Sequence, residues 1–223
     1  MKSFRILIIG FLLFFGITAG FGQGVEYPYA SDIRQFRIND SINPPPLHAI
    51  LFAGSSSFTK WTDVQDYFPG YVIINRGFGG STLQDLIHYA EFVIFPYDPK
   101  QIVIYCGEND LGYNDSVSAE MVVERFISLF SLIRSKLPDV YITYVSMKPS
   151  PSRWHLAEKM TRGNMGIKDF LSTQTNTSFV NIWDDMLDNN MVPDSSLFIE
   201  DMLHMNAKGY QIWQKKIKPQ LIN

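Results

Sequence analysis

Cysteine is nearly absent: Cys106 is the only one in 223 residues. A lone thiol excludes an intramolecular disulfide and the zinc sites built on paired cysteines. It closes the strand-like run "QIVIYC", where an inert, buried thiol is the ordinary role. Histidine is scarce too, so imidazole chemistry must fall on His48, His88, His155 or His204. An excess of charge is also lacking, since 19 basic residues stand against 22 acidic ones for a formal net charge of −3. That balance offers no basic surface to a nucleic-acid backbone. Past the N-terminus no apolar run is long enough to span a membrane, and there is no internal repeat or low-complexity tract.

What the chain does have begins with "MKSFRILIIGFLLFFGITAGFGQ". Lys2 and Arg5 precede a short apolar core, and the small residues Ala19, Gly20 and Gly22 follow it. This is the pattern of a secretory signal, residues 1–22, cleaved near Gly22. As an uncleaved anchor the run is short, and Gly10 and Gly16 break it. No cysteine near the cleavage site offers a lipid attachment point. The mature protein is therefore expected to be exported, periplasmic or secreted, with no membrane span. Loss of Lys2 and Arg5 takes its formal charge from −3 to −5. The sequons at Asn39, Asn114 and Asn176 are short patterns that arise often by chance.

Residues 23–46 read as a polar, aromatic-dotted lead-in ending at Pro44–Pro46, which cannot sit inside regular structure. The remainder, 47–223, is the size of one domain. In it "AILFAG", "YVIINRG", "QIVIYCG", "VYITYVS" and "SFVNIW" are short, β-branched and bounded by turn residues, as buried strands are. The segments "STLQDLIHYAEFVI", "SAEMVVERFISLFSLIRSKL", "RWHLAEKMTRGNMGIKDFLSTQ" and "NAKGYQIWQKKIKPQL" read as helices, the first two with the apolar spacing of three and four that marks an amphipathic face. Strands alternating with helices predict an α/β fold, a three-layer α/β/α sandwich around a five-stranded, mostly parallel, flavodoxin-like sheet. Ligands of such sheets bind beyond the carboxyl ends of the strands.

The residues just past the strands therefore bear on function. They are "GSSS" after the first, "NRGFGGST" after the second, "GENDL" after the third and a final loop running to "DMLHMN". Acyl transfer needs a nucleophile, a base, an orienter for the base and donors for an oxyanion. One of the three serines can be the nucleophile, though all three can equally cap a helix. His204 is a candidate base, and Asp201, three residues earlier, can hold its far ring nitrogen; the alternative is an Asp cap before the last helix. Asn109 can donate to an oxyanion without carrying charge, or it can be a turn residue. Gly79 and Gly80 can bare a backbone N–H, or simply serve a turn.

The four blocks together, "FAGSSSFTKW", "NRGFGGST", "YCGENDL" and "DMLHMNAKGY", resemble the SGNH hydrolases, or GDSL-like lipase/acylhydrolase family, over nearly the whole mature chain. The resemblance implies Ser56 as nucleophile, His204 as base and Asp201 as its partner. It implies an oxyanion hole made by the N–H of Ser56, Gly80 and Asn109. Ser55 stands where the family carries the aspartate of its name, which is not the partner of the base. The segment "SMKPSPSRW" falls where the family's variable fourth block would lie, with Trp154 a candidate substrate-binding residue or a core residue.

Two classes of function follow. One is an exported serine esterase acting on short acyl esters, acetyl foremost, of small molecules or carbohydrates, with no metal or organic cofactor implied; an acyltransferase would use the same residues. The other is a non-catalytic carbohydrate-binding or envelope interaction protein that keeps the fold. The complete residue set favours the enzyme, because a binding module has no use for an aligned Asp–His pair.

Overall fold

The computed structural model describes residues 26–223, so the expected signal segment lies outside the described residues. Five strands, Ile50–Gly54 (β1), Ile73–Gly77 (β2), Gln101–Tyr105 (β3), Tyr141–Val145 (β4) and Thr177–Val180 (β5), form one parallel sheet in the order β2-β1-β3-β4-β5. Every residue of β1 and β3 is buried, which is why these runs are apolar throughout rather than alternating. Ile50 and Phe52 face one side of the sheet while Leu51 and Ala53 face the other, and the two faces seed separate cores.

On one side lie the helices Leu83–Val93 (α4), Ala119–Lys136 (α6) and Ala157–Ser172 (α7), burying Leu86, Phe126 and Ile167. On the other lies Ala207–Ile217 (α8) with the short helices Ser56–Thr59 (α2) and Val64–Tyr67 (α3), around Phe58, Trp61 and Trp213. Local signals set the boundaries. Thr82 and Asp85 form a reciprocal capping box at the start of α4, and Asn206 caps α8. Arg134 and Lys136 in the last turn of α6 complement its dipole.

The chain leaves β1 for β2 on one side and then crosses to β3 on the other. The loops after β1 and β3 therefore part, and a crevice opens at that reversal of strand order. At its floor Gly54 lets the two strands end in close contact. A Cβ there would lie 2.0 Å from the Tyr105 carbonyl oxygen, so no other residue fits.

The lead-in holds an element the sequence did not announce, a helix over Ala30–Ile42 (α1). Its apolar face is narrow, with Ile33 its one buried residue, and its anchor is polar. Asp40 pairs with Arg76 of β2 and accepts a 2.7 Å hydrogen bond from the Tyr97 hydroxyl. Ahead of it Tyr27 stacks on His88 with ring centroids 3.7 Å apart. The third helical segment also starts later than its pattern suggests. Pro151–Leu156 forms a 3₁₀ turn, and the α-helix begins at Ala157.

Candidate active site

Beyond β1 the three serines diverge. Ser55 and Ser57 are buried at 5% and 1% exposure, and only Ser56 reaches the crevice. Ser55 caps α2, and its Oγ accepts from the Ser56 N–H at 2.6 Å. The Ser57 carbonyl accepts a 2.8 Å hydrogen bond from the Tyr210 hydroxyl of α8, and the Tyr210 ring stacks on Trp61 at 4.7 Å. The turn carrying Ser56 is thus clamped between the sheet and the last helix.

His204 and Asp201 come from a tight loop closed by the antiparallel bridge Phe198–Met205. Within it the Ile199 N–H donates to the His204 carbonyl at 2.8 Å, and Met202 takes a positive φ of 54° to complete the turn. Nε2 of His204 lies 2.9 Å from Ser56 Oγ, across 148 positions of sequence. Nδ1 lies 2.6 Å from Asp201 Oδ2. The other carboxylate oxygen, Oδ1, accepts from the N–H groups of Leu203 and His204 at 2.9 and 2.8 Å. Partial burial alone would raise the Asp201 carboxyl, but these donors and the His204 ring outweigh it and hold it at about 2. Asp201 does not cap the last helix; Asn206 does. None of the other histidines joins this chain of contacts: His48 lies 3.5 Å from Asp98, His88 stacks on Tyr27, and His155 is exposed.

Past β3, Asn109 sits in a one-turn helix, Glu108–Gly112 (α5), at 4% exposure. Its amide nitrogen donates to Ser55 Oγ at 2.8 Å and to the Ser81 carbonyl at 2.9 Å. Ser55 Oγ therefore receives both the Ser56 N–H and the Asn109 amide, a convergence that sequence reasoning missed. The neighbouring Asp110 turns away from the crevice, accepting from the Leu83 N–H at 3.0 Å and pairing with Arg125 at 2.8 Å.

Past β2, Gly80 takes a φ of +88°. Among the described residues the N–H groups of Gly79 and Gly80 have no hydrogen-bond partner. A Cβ on Gly80 would lie 3.1 Å from both the Tyr29 and Tyr113 hydroxyls, and the Tyr29 hydroxyl donates to the Gly80 carbonyl at 2.9 Å. Nothing in the sequence marked either tyrosine, since Tyr29 belongs to the lead-in and Tyr113 follows a turn. Trp154, in the 3₁₀ turn after β4, is half-buried against Trp183, with ring centroids 6.0 Å apart and 29° between planes.

The described residues contain no cluster of His, Cys, Asp and Glu able to hold a metal ion. Cys106 is buried, and burial pushes its thiol well above the ordinary range. What the arrangement offers is a hydroxyl on an imidazole, the imidazole on a carboxylate, and, next along the chain, the Ser56 N–H and the Asn109 amide meeting on Ser55 Oγ.

A sequence model of the GDSL-like Lipase/Acylhydrolase family matches residues 17–212. No curated protein matches the chain. Among solved structures, a Streptococcus pneumonia protein named for platelet activating factor is 21% identical with a TM-score of 0.75, covering 86% of this chain and 92% of its own. A GDSL-like lipase from Bacteroides thetaiotaomicron is 22% identical at a TM-score of 0.71, covering 85% and 97%. A catalytic mutant of an acetylxylan esterase from Geobacillus stearothermophilus is 14% identical at 0.62, covering 79% and 94%. At these identities the likeness carries the fold.

Proposed function

Because the chain belongs to the GDSL-like lipase/acylhydrolase family and is a carboxylic ester hydrolase, we propose that it is an exported serine esterase removing short acyl groups, acetyl foremost, from carbohydrate or small-molecule alcohols. The observation that carries this reading is the unbroken run Ser56 Oγ–His204 Nε2 at 2.9 Å and His204 Nδ1–Asp201 Oδ2 at 2.6 Å. In the first step Ser56 Oγ attacks the ester carbonyl and gives its proton to Nε2. Asp201, charged at neutral pH, fixes the Nδ1–H tautomer and stabilises the imidazolium. The backbone N–H groups of Ser56 and Gly80 and the side-chain amide of Asn109 stabilise the oxyanion, the Ser56 N–H and the Asn109 amide exchanging Ser55 Oγ for it as it forms. The alcohol leaves with the proton from His204, and water then attacks the acyl-enzyme with His204 again as base.

Short acyl groups are supported by a solved relative of the same fold being an acetylxylan esterase. Export is supported by the N-terminal sequence pattern. The test is turnover of p-nitrophenyl acetate, butyrate and octanoate and of acetylated glycans, with Ser56→Ala as control. Acetyl esters are expected to lead, and octanoate turning over fastest would overturn the short-chain reading. Protein recovered outside the cytoplasm should begin near Gln23; an intact Met1 on cytoplasmic protein would overturn export.

A further inference from the structure

The mechanism leaves one buried charge cluster unused, and it lies against the site. Glu108, adjacent to Asn109, accepts from Lys148 Nζ at 2.8 Å and from Arg153 Nη1 at 3.2 Å, and the Tyr105 hydroxyl donates to the same carboxylate. Lys148 and Glu108 are 1% and 6% exposed at the side chain, whereas Arg153 is 13% exposed. Burial alone would raise the Glu108 carboxyl, but the two cations outweigh it and hold it below the ordinary range. One carboxylate thus faces two cations. Burial lowers Lys148, which also feels the Asp201 carboxylate, and of the two cations Arg153 is the one that reaches solvent.

Arg153 is also fixed in place. The 3₁₀ turn breaks at this residue (φ −119°, ψ 18°), and the Ser152 N–H before it donates to the Met202 carbonyl of the catalytic loop at 3.1 Å. On its other side the guanidinium lies on α5, where a Cβ on Gly112 would come within 2.9 Å of Cζ. Cζ stands 5.9 Å from the Tyr113 ring centroid, and the Tyr113 hydroxyl is one of the two that crowd Gly80. Among the described residues Glu108 is its only acceptor, so most of its N–H donors are uncommitted. The guanidinium is therefore a rigid cation between the catalytic loop and α5, one aromatic ring away from the oxyanion donors.

We infer that Arg153 is a specificity-determining residue that receives an anionic group of the substrate, a carboxylate or a phosphate, about one ring removed from the ester. The inference rests on the esterase reading. Glu108 and Lys148 preorganise the guanidinium, which can then pair with a planar oxyanion through two parallel N–H donors. The enzyme accordingly selects acyl esters of acidic alcohols, such as an acylated uronic acid or sugar phosphate, over neutral ones.

The experiment compares kcat/KM for 4-acetoxybenzoate with its methyl ester, and for 4-acetoxyphenyl phosphate with its dimethyl ester, at low ionic strength and in high salt. For at least one pair the anion is expected to win by about tenfold or more, the size of a hydrogen bond to a charged group, and salt should shrink the ratio. The pair with the larger ratio identifies carboxylate or phosphate as the recognised group. Arg153→Gln should bring the ratio to about one, and Arg153→Lys should keep part of it. Ratios at or below one in the wild-type protein overturn the inference, and should Arg153→Gln fail to fold, these wild-type ratios decide alone. A ratio unchanged in a folded Arg153→Gln variant overturns it equally. If neutral esters are hydrolysed normally while anions gain nothing, only this inference falls. If no ester is hydrolysed and Ser56 takes no fluorophosphonate, the esterase reading falls with it.

Discussion

Ser55 Oγ is the acceptor on which the Ser56 N–H and the Asn109 amide converge, so the residue that replaces the family aspartate lies beside the groups proposed to bind the oxyanion. Asn109→Ala should lower kcat by roughly 10²–10³-fold, as loss of one preorganised donor does. Asn109→Asp should be at least as harmful, because it sets a charge against a developing negative charge. Near-normal turnover in both would return Asn109 to a structural role. Asp201 governs the pH behaviour. Its carboxyl is depressed to about 2, so its contribution to folding is present above the ordinary carboxylate range near about 4 and drains only as pH falls toward 2. It therefore stays charged through the neutral and mildly acidic range. The acid limb of kcat/KM should show a slope of one, and a slope of two would mean that Asp201 titrates with the base. A serine set, His204 and Asp201 stood out in the sequence because each follows a strand or sits in the last loop, whereas Ser56 among the three serines came only from the family resemblance. The uses of Ser55, Tyr29, Tyr113 and Arg153 were not legible, because they arise from contacts between distant segments.

At the scale of elements, the five strands and four long helices after residue 47 were legible from short β-branched runs, turn residues and, for α4 and α6, the apolar spacing of three and four. The helix α1 was not, because burial of one side chain, Ile33, leaves almost no periodic signal, and the Asp40–Arg76 pair that holds it joins residues far apart in sequence. The closing helix shows how an element reaches the chemistry. Tyr210 of α8 donates to the Ser57 carbonyl and stacks on Trp61, which ties the helix after the His204 loop to the turn bearing Ser56. Tyr210→Phe keeps the stack and removes the hydrogen bond. It should cost about 1 kcal/mol in denaturant unfolding and lower kcat more than it changes KM. A loss of stability with wild-type kcat would make the clamp purely structural.

For the molecule as a whole, the strand order β2-β1-β3-β4-β5 explains why residues near 55, 80, 109 and 204 meet. The reversal between β1 and β3 opens the crevice, Gly54 keeps its floor tight, and the loop after β5 brings His204 over Ser56. This convergence was legible as soon as the sheet was read as parallel. Which of three adjacent serines faces the crevice was not a matter of topology, since one residue of register decides it. Labelling the folded protein with a fluorophosphonate and mapping the adduct by peptide mass spectrometry therefore tests the central claim most directly. The adduct is expected on Ser56 alone, absent in Ser56→Ala and retained when Ser55 or Ser57 is replaced by alanine. An adduct on Ser55 or Ser57, or none on any of the three in folded protein, would contradict Ser56 as the nucleophile.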